Sequence, residues 1–245
     1  MKQGLFTIVS NTQVADKVFR LEMTGDSSAM QRGGQFVDVA IDGYFLRRPI
    51  AAQKWDSNGL TIFYKVVGNG TAELSRMKAG SSVDLLTGLG NGFNAGACAS
   101  HALVVCGGLG ASPAFSLVKE LIDLGRKVTV VMGFNRACDA ILADEYREIG
   151  AEVHIATMDG SLGTKGLVTD VIKMLPGGFD YFYTCGPKIM MKAVCEAMDI
   201  PGEASLEERM GCGCGICYGC TCHTTKGARR VCADGPVFSK EEIVW

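Results

Sequence analysis

The chain has 245 residues, 47% of them hydrophobic and 20% charged, with a formal net charge of -2 at pH 7. This is the composition of a folded globular protein of one large or two ordinary domains, which excludes a disordered chain. Charge is spread without a long run of either sign, which argues against nucleic acid or a membrane surface as a partner held by bulk electrostatics.

The opening "MKQGLFTIVSNTQVADKVF" contains no apolar core of signal-peptide length, and no later stretch approaches the length of a transmembrane helix. The expectation is a cytoplasmic protein with reduced thiols. From Met1 to about Cys98 the chain reads as short strands, "LFTIVS", "KVFRLEM", "QFVDVAI", "LTIFYKVV" and "SVDLLTG". They are rich in β-branched and aromatic residues and punctuated by Gly, Asn and Asp. The pattern predicts an antiparallel β-barrel over residues 1–98. Within it, "FLRRPIAA" sets Arg47 and Arg48 before a proline in an apolar strand context. Two readings fit: an arginine fork for a pyrophosphate, or two surface arginines on an edge strand. "GNGT", Gly68 to Thr71, opens the helical "AELSRM", as amides for a phosphate oxygen or as a plain capped surface helix.

From about His101 the period changes. The apolar runs "HALVVC", "KVTVVMGF", "AEVHIAT" and "FDYFYTC" each precede a helical stretch: Ala114 to Leu124, "DAILADEYREIG", "GLVTDVIKML" and "PKIMMKAVCEAM". Regular alternation predicts a doubly wound parallel α/β domain over residues 99–203. "VVCGGLGASPAF" places Gly107, Gly108 and Gly110 between a strand and a helix, where backbone approaches a pyrophosphate or simply turns. Ser112 suits the N-cap and Pro113 the first helical position. The pattern is G-x-G-x-x-P, not the dinucleotide fingerprint G-x-G-x-x-G. "GFNRA" after the second strand has no carboxylate for a ribose, which leaves Arg136 free to tolerate a 2′-phosphate. "YTCGP" sets Cys185, Gly186 and Pro187 at the carboxyl end of the fourth strand, the edge where ligands bind in open α/β sheets. A thiol there either sits beside a nicotinamide or is a buried residue ending a strand.

Residues 204–245 form a glycine- and cysteine-rich tail, too short for a core of its own and expected to be held by a metal. Six of the 11 cysteines lie between Gly211 and Cys232. An odd total excludes full disulfide pairing within the chain. Cys212, Cys217, Cys220 and Cys232 give C-x4-C-x2-C…C, the plant-type [2Fe–2S] spacing. A [4Fe–4S] run from Cys214 fails, because positions 224 and 225 are both threonine. Zinc finds one knuckle, Cys217 and Cys220, but no second pair. Gly211, Gly213, Gly215 and Gly219 let the backbone close on an inorganic core, which favours the cluster. Cys214 and Cys222 are left without a ligand role.

In order, R-P-x-x, G-N-G-T, L-G-N-G-F, G-G-L-G-x-x-P, C-G-P and the cysteine run followed by D-G-P-V-F resemble one family over essentially the whole chain. It is the electron-transfer subunit of class 1B dihydroorotate dehydrogenase, in the ferredoxin–NADP reductase superfamily. The resemblance implies an FAD-binding barrel, a central NAD-binding domain and a [2Fe–2S] tail. It implies flavin contacts at Arg48, Pro49, Ile50 and Ala51, at Tyr64, Lys65 and Val66, and at Gly70 and Thr71. Ala51 departs from the family's Arg-Pro-Ile-Ser, and a hydrogen bond to the flavin ring goes with the missing hydroxyl. Gly107, Gly108, Gly110, Cys185, Gly186 and Pro187 match the nicotinamide-nucleotide side, with Cys185 at the reacting ring. Cys212, Cys217, Cys220 and Cys232 match the cluster ligands.

The resemblance further implies a relay in de novo pyrimidine synthesis. Electrons leave dihydroorotate on an FMN-bearing catalytic subunit, cross the cluster and FAD, and reach NAD+, in a heterotetramer of two of each chain. A flavin suits the middle place, because nicotinamide exchanges two electrons and a cluster one. A related NAD(P)H:ferredoxin oxidoreductase, hydrogenase or sulfite reductase subunit shares the barrel and nucleotide motifs. The non-enzymatic alternative is a zinc-stapled interaction module.

Overall fold

A computed structural model describes residues 1–245. Six strands close the first unit: β1 (Lys2–Ala15), β2 (Val18–Thr24), β3 (Phe36–Val39), β4 (Arg48–Asp56), β5 (Gly59–Lys65) and, after the short helix α1 (Asn69–Leu74), β6 (Ser82–Leu89). They run antiparallel in the order β1-β2-β5-β4-β3-β6. Period-two alternation fills the barrel: Phe6 and Ile8, Leu21 and Met23, Val37 and Val39, Ile62 and Tyr64 all point inward. Burial of these side chains, each worth about 1.5–3 kcal/mol, holds the barrel shut. The five expected runs are all present. The sixth strand, β4, is the arginine–proline segment, and it is an interior strand between β5 and β3 rather than an edge.

The second unit begins with β7 (His101–Gly107) and continues through α2 (Ala114–Asp123), β8 (Lys127–Phe134), α3 (Ala143–Glu148), β9 (Glu152–Thr157), β10 (Thr164–Lys165), α4 (Val168–Met174), β11 (Tyr181–Cys185), α5 (Lys188–Ala197) and β12 (Gly202–Ser205). The tail adds a hairpin, β13 (Thr221–Thr224) with β14 (Gly227–Arg230), and β15 (Val237–Ser239). The sheet order is β10-β9-β8-β7-β11-β12-β15, parallel except for β15 on β12. The chain steps outward from β7 to β9 and then returns to β11 on the other side of β7. That reversal opens a crevice at the carboxyl ends of β7 and β11.

Both faces of the sheet are covered. Val104, Cys106, Val130 and Met132 pack with α2 and α3, while Leu103, Val105, Val131 and Phe182 pack on the α4 and α5 side. The barrel is docked on α2: Phe63 joins the core on that face, and the Ser116 hydroxyl donates to the Gln53 carbonyl. No helix is long and apolar enough to cross a membrane.

Two local expectations change. Ser112 does not cap α2. A 3-10 turn, Gly108–Ala111, runs directly into the helix, so Ser112 is already helical and its buried hydroxyl has no partner. The tail is not a free-standing unit either. The 203/204 boundary falls inside β12, β15 completes the nucleotide sheet, and Cys220, Val231, Cys232 and Phe238 share an apolar cluster with Phe36 and Met191. Protein packing, not only a metal, orders this segment.

Candidate functional site

A cavity of about 720 Å³ occupies the crevice, large enough for a nucleotide cofactor. Gly107, Gly108 and Gly110 line it from the end of β7, Gly186 and Pro187 from β11, and Lys65 from the barrel. The glycines are sterically required. A Cβ on Gly110 would stand 2.1 Å from the Cys185 carbonyl oxygen, and one on Gly107 would stand 2.5 Å from the Met190 sulfur. The turn is thus pressed against the Cys185-Gly186-Pro187 segment, leaving backbone along the cavity wall. Gly108 differs: its φ is +53°, but a Cβ there meets nothing.

Of the two readings for Cys185, the structure shows the buried strand end. Alternation along β11 turns Tyr183 and Cys185 to the α2 face, and the thiol is buried beside Cys106 and Tyr146 instead of lining the cavity. Burial pushes its ionisation well above the usual thiol range. Cys185→Ala is expected to lower stability by about 1 kcal/mol, the typical cost of a small core truncation. The rate of flavin reduction at saturating NADH should stay within about twofold. Stopped-flow measurement checks both expectations, and strong slowing would return the thiol to the reacting ring.

"GFNRA" itself carries no carboxylate, but Asp139 just beyond it lines the cavity. A 3-10 turn, Ala137–Asp139, brings it to the cavity within 3.5 Å of Arg136. Asp16, from the turn between β1 and β2, lines the same end, and Glu207, beyond β12, lines the cavity too. Sequence spacing gave no signal for these three, because they come from separate segments.

The barrel residues converge on the start of α1. The Arg48 guanidinium lies so close to Gly70 that a Cβ there would be 2.5 Å from its Nε, and it stacks 5.1 Å over the Tyr44 ring. Pro49, Ile50 and Ala51 follow Arg48 along half-buried β4. Thr71 caps its own helix: its hydroxyl accepts from the Val67 and Gly68 amides at 3.0 and 3.2 Å. Tyr64 faces the barrel interior and donates to the Asn11 side chain at 2.9 Å, whereas Lys65 faces the nucleotide cavity and Val66 packs back against the barrel core. The Arg48 guanidinium, packed on the buried Gly70 at the start of α1, fits a phosphate-bearing cofactor.

The tail loop presents its thiols in two pairs, Cys212 with Cys217 and Cys220 with Cys232, each within side-chain hydrogen-bonding reach. Cys212 accepts from the amides of Ile216 and Cys217 at 3.3 and 3.4 Å, Cys217 from Gly219, and Cys220 from Cys232. Burial alone would raise the Cys212 thiol, but the amides of Cys217, Cys214 and Ile216 bring it down to about 6. The structure brings the thiols together as pairs and does not gather three or more of them around one point. Two thiolate pairs with N–H donors on the sulfurs fit a two-iron cluster, in which each iron takes two cysteines. Cys222 packs against the apolar cluster of the tail, and Cys214 does so while its thiol also reaches that of Cys212. Arg230 braces the loop: it donates to the Gly215 carbonyl at 2.8 Å, grips Asp234 at 3.0 and 3.1 Å and lies 4.9 Å over the Tyr218 ring.

One further carboxylate borders this loop. Asp38, on β3, is buried, and burial pushes its carboxyl up to about 6 against the pull of Arg47.

Comparison with known proteins shows the family. A family model described as the iron–sulfur cluster binding domain of dihydroorotate dehydrogenase B matches residues 207–244. A second, described as an oxidoreductase NAD-binding domain, matches residues 104–196. The protein named dihydroorotate dehydrogenase B (NAD(+)), electron transfer subunit, of Listeria monocytogenes (strain EGD-e) is 40% identical over 253 residues, covering 99% of both chains. This chain belongs to that family of electron transfer subunits. The Fusobacterium nucleatum member is 38% identical and covers 97% of this chain and 96% of its own.

Among solved structures, a chain from the NADH-dependent reduced ferredoxin-NADP oxidoreductase of flavin-based electron bifurcation superposes with a TM-score of 0.89. It is 31% identical and covers 99% of this chain and 90% of that one. A ferredoxin NADP+ reductase from Neisseria gonorrhoeae shares the fold, with a TM-score of 0.68 at 16% identity, over 80% of this chain and 90% of its own. As a member of the dihydroorotate dehydrogenase B family the chain is an oxidoreductase subunit, and the name electron transfer subunit implies a separate catalytic partner.

Proposed function

We propose that this subunit carries electrons from an FMN-bearing dihydroorotate dehydrogenase subunit to NAD+, through a [2Fe–2S] cluster and FAD, in pyrimidine synthesis. One observation carries the reading: the three candidate sites are contiguous. Ala51 of the flavin strand packs against the apolar cluster that buries Cys220 and Cys232, and Lys65 of the next strand lines the nucleotide cavity. FAD supplies the exchange between one-electron and two-electron chemistry. The residues of this chain do the holding. Arg48 and Gly70 cradle the flavin phosphates, Gly107, Gly108 and Gly110 give backbone to the NAD pyrophosphate with Gly186 and Pro187 opposite, and Cys212, Cys217, Cys220 and Cys232 bind the cluster. Asp139 is placed to accept a ribose hydroxyl and offsets Arg136, which favours NAD over NADP.

Two of each subunit in a heterotetramer, working in the cytoplasm, complete the proposal. Ile216 and Tyr218, 79% and 64% exposed in the loop that carries Cys217, leave apolar surface beside the cluster for the partner to cover. The experiment is anaerobic reduction of the isolated holo-subunit. NADH should bleach both flavin and cluster bands, while dihydroorotate should bleach neither until the catalytic subunit is added. Bleaching by dihydroorotate alone would overturn the division of labour. The ferredoxin-linked relative, at a TM-score of 0.89, supports a second reading, in which ferredoxin is the one-electron partner. Rapid cluster oxidation by ferredoxin, without the FMN subunit, would favour it.

A further inference from the structure

We propose that Asp38 sets the reduction potential of the cluster by placing a carboxylate charge beside the Cys212 end of the loop. The proposal rests on the reading of the four cysteines as cluster ligands. Val37 and Val39 fill the barrel interior, so the pleat turns Asp38 outward, toward the tail. The residue is only 2% exposed, and its Oδ1 is buried without any hydrogen-bond partner. On its other oxygen rests the cluster loop: a Cβ on Gly213, whose φ is +65°, would lie 2.5 Å from Oδ2.

Neither cation facing this carboxylate bonds to it. Arg47 donates to the Asp84 carboxylate and carbonyl, both at 3.1 Å, and to the backbone carbonyl of Asp38 at 3.3 Å. Arg48 donates to the carbonyls of Leu46 and Arg47. A buried acceptor without a partner destabilises the fold, and an apolar side chain in the same strand would avoid that cost. The charge has an effect at the redox centre instead. A carboxylate held in a low-dielectric contact layer opposes the arrival of an electron on the nearby cluster.

The test is Asp38→Asn, which keeps the shape and removes the charge. Redox titration of the holo-subunit, followed by EPR for the cluster and visible absorption for the flavin, reads the result. Reduction of the cluster should become about tenfold more favourable, which is about 59 mV for a one-electron couple. The flavin potential and the EPR line shape should stay as in the parent chain. An unmoved cluster potential would overturn the proposal. If D38N lost its cluster, Asp38→Glu decides: a retained cluster at the parent potential supports a role for the charge, and loss in both variants shows only a structural role and overturns it. Failure of the ligand reading would look different, as a parent chain with no iron–sulfur signal.

Discussion

Serine in place of any one of Cys212, Cys217, Cys220 or Cys232 is expected to abolish the iron–sulfur absorption or leave it too labile to survive purification. In the proposed assignment each substitution would remove one of the four thiolates that a [2Fe–2S] cluster requires. Cys214 is the nearest substitute, within hydrogen-bonding reach of the Cys212 thiol, but burial and that contact raise its ionisation and disfavour the thiolate that a ligand must supply. Serine at Cys214 or Cys222 should keep the full spectrum. The buried pair should also matter for folding. Cys220 and Cys232 are each 2% exposed within the cluster that joins tail to barrel, so C220S and C232S should lower thermal stability more than C217S, whose side chain is exposed. Iron and sulfide analysis together with thermal melts check both statements. Bleaching by C214S with retention in C212S would reverse the assignment.

Gly110→Ala should cost at least about a hundredfold in kcat/KM for NADH, or about 2.7 kcal/mol of binding and positioning. The new methyl would overlap the Cys185 carbonyl, and backbone cannot rotate away as a side chain can. The turn must therefore lift off the Cys185-Gly186-Pro187 segment and distort the cavity wall. Gly108→Ala is the internal control. It faces open space, so its only penalty is the left-handed backbone, about 1 kcal/mol. Steady-state NADH oxidation with an artificial dye measures both variants. Equal effects would show that the close approach is not what the site depends on.

Much of this was legible in the sequence because it is local. Barrel strands announced themselves through alternation, β7, β8, β9 and β11 through apolar runs, and the cluster through cysteine spacing inside one loop. What escaped is non-local. β12 and β15 are short strands whose partners are the finished sheet and each other, some thirty residues apart, so neither makes a pattern of its own. β4 suggested an edge strand because it begins with arginine and proline, whereas in the closed barrel it has a neighbour on each side. The direction of the Cys185 thiol depends on the phase of β11 against its neighbours, which strand composition does not encode. Asp139 reaches the nucleotide cavity through a turn three residues past Arg136, beyond the loop tip where a carboxylate is usually sought. Asp38 did leave a trace, a lone carboxylate inside the apolar run "QFVDVAI", but its meaning appears only once Gly213 is seen resting on it.

The most direct measurement is steady-state reduction of NAD+ by dihydroorotate, with this subunit alone, with the FMN subunit alone, and with both. The subunits together should turn over, each alone should not, and the C212S subunit should fail to support turnover while still oxidising NADH with a dye. Turnover by this chain alone, or full turnover through the cluster-free variant, would contradict an electron path that enters at the cluster and leaves at the nucleotide cavity.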